Sequence, residues 1–165
     1  MTPDAPARRR GLPPIIAPDA HVLILGSFPS EASLAARQYY AHPRNHFWPV
    51  LSALLNEPLT QMSYAERTVR VRAHRIAIWD TIVECEREGS LDAAIRNAEP
   101  GKIARVRRVA RGLRAVCFNG STAARAEPLW RAAGFATLIL PSTSPAYTLP
   151  LSKKIDAWRT LREYL

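Results

Sequence analysis

Cysteine is scarce: Cys85 and Cys117 are the two in 165 residues. Two thiols cannot complete a four-thiolate zinc or iron–sulfur site, so no structural metal is expected, and so few cysteines suit a reducing cytoplasm. Long apolar runs are also missing. No stretch approaches the roughly 18 apolar residues of a membrane span, and the opening MTPDAPARRRGLPP lacks the apolar core of a signal peptide, so neither membrane nor export is expected. No Walker or G-x-G-x-x-G sequence occurs, which leaves a nucleotide cofactor unsupported. His42 and His46 have the i, i+4 spacing of a zinc pair, but Pro43 between them opposes a continuous helix and no third ligand is evident. Glu84, Glu86 and Glu88 alternate beside Arg87 and read as an exposed charged turn rather than paired catalytic carboxylates.

Acid is the other shortage. Asp and Glu number 14 against 23 Lys and Arg, a formal charge of +9, so an anionic partner is expected and nucleic acid leads the candidates. Basic residues cluster at Arg67, Arg70, Arg72 and Arg75 and again from Lys102 to Arg114, including Arg107 and Arg108; each run is either a DNA-facing surface or a solvated helix face. The chain length fits one domain. Residues 1–20 read as a mobile basic arm and 21–165 as the folded domain.

What is present alternates between two patterns. The apolar runs His21 to Leu25, Arg75 to Trp79, Ala115 to Phe118 and Ala136 to Leu140 read as buried strands, the last three each following a helix-like segment. Helices are expected over 47–55, 63–72, 91–96, 102–111, 121–133 and 152–164, with Gly112 and Gly134 where C-terminal caps belong and Ser152 as an N-cap. This alternation predicts an α/β fold: a single three-layer domain whose central, mainly parallel four-stranded sheet is flanked by helices. Ligands bind such sheets beyond the carboxyl ends of the strands, which singles out 26–30, 80–81, 119–121 and 141–147.

Three segments carry a family resemblance. GSFPS (Gly26 to Ser30), YYAHPRNHFW (Tyr39 to Trp48) and LPSTSPAY (Leu140 to Tyr147) resemble the first, stacking and last motifs of the uracil-DNA glycosylase superfamily. The middle segment is similar to the F-A-H-P-x-N-x-F-W stretch of mismatch-specific uracil-DNA glycosylases, and the full combination resembles the hypoxanthine-DNA glycosylase branch. The resemblance covers nearly everything from His21 onward. It implies a monofunctional, cofactor-free, monomeric enzyme of the cytoplasm and nucleoid that flips a deaminated base out of DNA and hydrolyses its N-glycosidic bond. A mismatch uracil glycosylase and a noncatalytic damaged-DNA or single-strand binding domain are the alternatives, with a small-molecule nucleoside hydrolase third.

By the same resemblance Tyr40 stacks on the extruded base, and Gly26, Ser27, Phe28, Ser142, Thr143 and Ser144 line its pocket. Many relatives carry an Asn or Asp where this chain has Phe28, and in the hypoxanthine branch the catalytic amide falls on Asn45. Breaking the bond passes through an oxocarbenium-like sugar, so an Asn carbonyl that holds water beneath C1′ is sufficient base. The rival role for Asn45 is to cap the helix that begins near Phe47. Asp80 falls near the residue that reads the base edge, where a carboxylate would accept from N1–H of hypoxanthine and oppose adenine; capping the next helix or pairing with an Arg is its other reading. Backbone amides after Gly26 and around Ser142 to Ser144 are candidates to stabilise the leaving base. Ser30, His42, Arg44 and Tyr147 are the expected DNA contacts. No Lys falls in the matched segments to form a Schiff base, so strand cleavage is not expected.

Overall fold

All four apolar runs become strands, and the computed structural model, which describes residues 7–165, assembles them into one sheet. Strand β1 is Arg8–Arg10 and β2 is Val22–Gly26, followed by helices α1 (Glu31–Ala36), α2 (Phe47–Leu55) and α3 (Tyr64–Ala73). Then come β3 (Ile76–Asp80), β4 (Ile82–Glu86), β5 (Arg96–Pro100), α4 (Ile103–Val109) and β6 (Ala115–Asn119). Helices α5 (Ser121–Ala124) and α6 (Glu127–Ala132), strand β7 (Ala136–Leu140) and α7 (Leu151–Trp158) complete the order, with a closing 3-10 turn over Arg159–Tyr164. The sheet runs β3-β2-β6-β7 with every pairing parallel.

Side chains alternate across this sheet because successive Cβ atoms point to opposite faces. Val22, Ile24, Ile76, Ile78 and Cys117 pack against Phe47, Leu51 and Leu54 of α2 and Trp158 of α7. Leu23, Leu25, Ala77, Trp79, Val116 and Phe118 face the other way, onto Val106 of α4 and Trp130 of α6. The result is the expected three-layer arrangement. No helix among the described residues is long and apolar enough to cross a membrane.

The arm expected over residues 1–20 is built into the domain from Arg8 onward; residues 1–6 lie outside the described part. Strand β1 pairs antiparallel with β4, matching Arg8 to Glu86 and Arg10 to Glu84. Ile15 is buried and exchanges two 2.8 Å backbone hydrogen bonds with Ile78, which covers the otherwise open edge of β3. The expected helix over 91–96 shrinks to a 3-10 turn over Asp92–Ala94, and the charged turn at Glu84 to Glu88 is corrected: β1, β4 and β5 form a second, antiparallel sheet. Its outer strand, Arg-Asn-Ala-Glu-Pro, is exposed at every position, so it carries no apolar alternation to find.

Two helices differ from expectation in detail. The segment 121–133 breaks into α5 and α6 around Arg125 and Ala126, ahead of Pro128 near the start of α6. Helix α7 starts one residue earlier than expected, from Pro150 without a side-chain cap, so Ser152 does not serve as its N-cap. In contrast Ser63 caps α3 through a full capping box with Glu66. Gly134 adopts a φ of +100 after α6, as a terminating glycine should, whereas α4 ends at Ala110, short of Gly112.

Candidate active site

The parallel register sets the floor of the site. Gly26 ends β2 directly opposite Asp80, the last residue of β3. A Cβ on Gly26 would lie 2.6 Å from Asp80 Oδ1 and 2.8 Å from Tyr40 Oη, so only glycine lets these two side chains meet there. Gly120, at the end of β6, is constrained similarly: its φ is +95 and a Cβ would come within 2.9 Å of Ser142 Cβ. Above this floor lies a cavity of about 290 Å³ at the carboxyl ends of the strands, where an open parallel sheet binds its ligand.

Most of the residues singled out from the sequence converge on this cavity. Gly26, Ser27, Phe28 and Ser30 form one wall, Ser142, Thr143, Ser144 and Tyr147 the facing one, and Tyr40, Asn45 and Asp80 also line it. His42 and Arg44 do not line the cavity; they sit on the adjoining loop, where His42 Nδ1 accepts the Arg44 N–H at 3.1 Å and Arg44 is exposed. Ser30 has a local task as well, capping α1 by accepting from Ser33 N–H at 3.1 Å.

Tyr40 is held in an unusual state. Its φ of 55 is left-handed, a conformation that costs a non-glycine residue on the order of 1 kcal/mol or more. One face of its ring stacks on Phe47 with centroids 3.8 Å apart and planes 16° from parallel. Its hydroxyl is buried without a hydrogen-bond partner among the described residues. Burial first, then the neighbouring Asp80 carboxylate, raises its pKa well above the usual phenol range.

Asp80 neither caps a helix nor pairs with an arginine, since strand β4 follows it and no salt bridge among the described residues includes it. It is 5% exposed and Oδ2 has no hydrogen-bond partner among the described residues. Burial, then repulsion from Asp92, pushes its pKa up to about 7, against a lowering by Arg87. Asp92 is a cavity residue that sequence reasoning missed, because the segment reads as a helix; it accepts the Ser27 hydroxyl at 2.7 Å.

The N-cap of α2 is His46, which makes no side-chain cap bond; Asn45, one residue before it, ties off the first amide of the helix, its Oδ1 accepting the Phe47 N–H at 2.9 Å. This bond also fixes the amide flip, because the Nδ2 side cannot accept, and one lone pair of Oδ1 stays uncommitted. Asn119, at a strand end the fold rule marks but to which no role was attached, clamps the far wall. Its Oδ1 accepts Thr143 N–H and its Nδ2 donates to Thr143 Oγ1, both at 2.9 Å.

That clamp corrects one expectation. Thr143 N–H is committed to Asn119 and Ser144 N–H to Ser142 Oγ at 3.1 Å, so these two amides are not free for a leaving base, whereas the Ser142 N–H has no acceptor among the described residues. The amides of Ser27 and Phe28 have no acceptor among the described residues and remain the better donors. The basic run on α4 is also redirected. Arg107 donates to the Ala133 carbonyl and lies 5.1 Å from the Phe135 ring centroid, at the amino end of the sheet and away from the cavity.

Comparison with known proteins agrees with this geometry. Residues 13–164 match the family model described as the Uracil DNA glycosylase superfamily. The chain is 34% identical over 151 residues to a protein of Methanosarcina barkeri (strain Fusaro / DSM 804) named hypoxanthine DNA glycosylase, covering 92% of this chain and 96% of that one. It is 37% identical over 138 residues to a protein of the same name from Methanosarcina acetivorans, covering 84% and 87%. A solution NMR structure from Methanosarcina acetivorans, provisionally assigned as a uracil DNA glycosylase, superposes with a TM-score of 0.83 at 34% identity, covering 94% of this chain and 99% of that chain. With a family model matched over residues 13–164 and sequence and fold similarity over almost the whole length, the chain belongs to the uracil DNA glycosylase superfamily.

Proposed function

We propose that this chain is a monofunctional DNA glycosylase that removes hypoxanthine from DNA, acting as a monomer, without a cofactor, in the cytoplasm and at the nucleoid. The observation that carries the reading is the identity of 34% and 37% to two hypoxanthine DNA glycosylases over most of the chain. The cavity, about 290 Å³, suits one extruded base rather than a larger ligand.

In this mechanism the flipped base lies against the Tyr40 ring face that Phe47 leaves free. Stacking of this kind is worth about 1 to 3 kcal/mol. Asp80 accepts from the N1–H that hypoxanthine has and adenine lacks, which requires its carboxylate form. Asn45 accepts a water proton with its free lone pair and holds the oxygen beneath C1′, where the oxocarbenium-like sugar draws it in without prior deprotonation. Negative charge growing on the base is met by the amides of Ser27 and Phe28. Ser142, Thr143 and Ser144 shape the opposite wall, while Ser30, His42, Arg44 and Tyr147 contact the strand around the extruded nucleotide. The amine of Lys154 is committed to backbone carbonyls behind the wall, so no Schiff base forms and the product is an abasic site.

Uracil in mismatches is the second reading, favoured by one specific feature: its N3–H would also donate to Asp80. A panel of duplexes carrying inosine, uracil, xanthine or ethenoadenine, assayed in EDTA for free base and alkali-labile sites, tests the proposal. Fastest release from inosine is expected. Fastest release from uracil would install the second reading, and binding without release of any base would leave a damage-binding domain.

A further inference from the structure

Two cations are sealed behind the walls of the cavity, and among the described residues neither forms a salt bridge, although Asp92 and Glu31 lie near enough to Arg87 to favour its charge. Lys154, on α7, is fully buried. Its Nζ donates to the Tyr147 carbonyl at 2.9 Å and the Ser144 carbonyl at 3.4 Å, and lies 5.6 Å from the Tyr147 ring centroid. Arg87, just past β4, is 4% exposed. Its Nε donates to the Gly89 carbonyl at 2.8 Å and its Nη2 to the Pro29 carbonyl at 2.5 Å, with the guanidinium 5.0 Å from the Phe28 ring centroid. Arg87 Nη1 has no hydrogen-bond partner among the described residues.

The two arrangements share three features. Each cation is desolvated, each donates to at least one carbonyl of a loop that lines the cavity (Ser144 and Tyr147 for Lys154, Pro29 for Arg87, whose other acceptor is the neighbouring Gly89), and each faces an aromatic ring on that loop. Burying a charge without a counter-ion is among the more costly choices a fold can make, and well-packed apolar side chains in such places often do no harm to stability. A core does not need these charges. The loops do: between them, Pro29 and the Ser144 to Tyr147 turn belong to the two facing walls of the cavity.

We propose that Lys154 and Arg87 are positioning residues, one per wall, which hold the two recognition loops by their carbonyls so that the cavity is already set before DNA arrives. This rests on the glycosylase reading. Pre-set geometry matters most at the reacting centre, where a displacement of about 1 Å can cost roughly 10²-fold in rate. Neither cation lines the cavity itself, so neither touches the base.

The test compares Lys154→Met and Arg87→Met with the wild type in three measurements. Single-turnover release of hypoxanthine at saturating enzyme should fall at least tenfold in each, while affinity for undamaged duplex stays within about twofold. The double variant should multiply the two losses, because the loops are held independently. Lys154→Gln, which keeps an N–H donor, should recover most of the lost rate. Amide exchange at Ala146 and Tyr147 should quicken at least tenfold in Lys154→Met. That last readout needs no catalysis, so a wild type that releases no base would sink the glycosylase reading and still leave loop positioning open to confirmation or refutation. A lowered melting temperature with unchanged maximal rate and unchanged exchange would make these residues ordinary stabilisers, and failure of either Met variant to fold would do the same.

Discussion

The amino and carboxyl ends of the parallel sheet are built to opposite specifications. At the amino end the backbone closes on itself: the Arg75 carbonyl accepts from His21 and Val22, and the His21 carbonyl from Arg114 and Ala115. Arg107 there caps the end of α6 through Ala133. Among the described residues, Tyr40 Oη, Asp80 Oδ2, His46 Nδ1 and Arg87 Nη1 are buried without partners at or beside the cavity, against His21 Nδ1 alone at the amino end and Ser52 Oγ within α2. An unmet buried polar group costs about 1 to 3 kcal/mol, so a fold concentrates such groups only where something else uses them. The difference locates function at one end and stability at the other.

The sharpest way to break that contrast is at Asn45, which belongs to both roles. Asn45→Ala should cut single-turnover base release by about 10² to 10⁴ through loss of the positioned water. Loss of the bond to the Phe47 N–H should cost about 1 kcal/mol of stability. A lowered melting temperature with normal chemistry would make Asn45 a helix tie alone and would move the search for the water-holding group to Ser27, Asp80 and Ser142.

Asp80→Asn should slow release of hypoxanthine roughly 10- to 100-fold, the loss of one hydrogen bond to a charged acceptor. It should also change the pH dependence of both rate and stability. The folded pKa of about 7 stands above the ordinary 3.8, so the folded chain keeps this proton over a range in which the unfolded chain has lost it. Stability from this group is therefore greatest below about pH 4 and declines as pH rises to about 7. The variant should melt higher than the wild type at pH 8, with a smaller difference at pH 5. In the wild type, activity should rise through pH 7 as the carboxylate forms, and this rise should flatten in the variant.

Gly26→Ala probes the floor directly. Forcing a methyl group between Asp80 and Tyr40 should destabilise by about 1 to 3 kcal/mol and abolish the alignment of the two side chains. Equal melting temperatures would mean that the floor yields easily. The smallest expected effect is electrostatic. Arg44→Ala should lower the slope of log affinity against log salt by about 0.9, one phosphate contact, whereas Arg107→Ala should leave it unchanged. A change at Arg107 would place DNA at the amino end and reverse the assignment of the two ends.

Much of this site was legible because several of its signals are local. Gly26 and the turn from Ser142 to Tyr147 stand out as strand-end loops, while Tyr40 and Asn45 stand out through the family resemblance of the stretch from Tyr39 to Trp48; Gly26, Tyr40, Asn45, Ser142 and Tyr147 all line the cavity. Asp92 was not legible, since its place depends on strand β5, whose residues show solvent on both faces and pair only because β4 lies beside them. Nor were the committed amides of Thr143 and Ser144, whose partners are Asn119 and a neighbouring side chain rather than a ligand.

The sequence by itself determined the four buried strands, the helices with apolar stripes and the motif segments at the strand ends. Periodicity and turn chemistry are properties of a few consecutive residues, and burial in a sheet leaves its record there. Only the tertiary structure decided that the basic segment after Arg8 would become a strand and an edge cover, that Arg107 would turn away from the cavity, and that Lys154 and Arg87 would be sealed behind it. A charged side chain looks the same in sequence whether water or a loop carbonyl receives it, and which one does depends on residues far away along the chain.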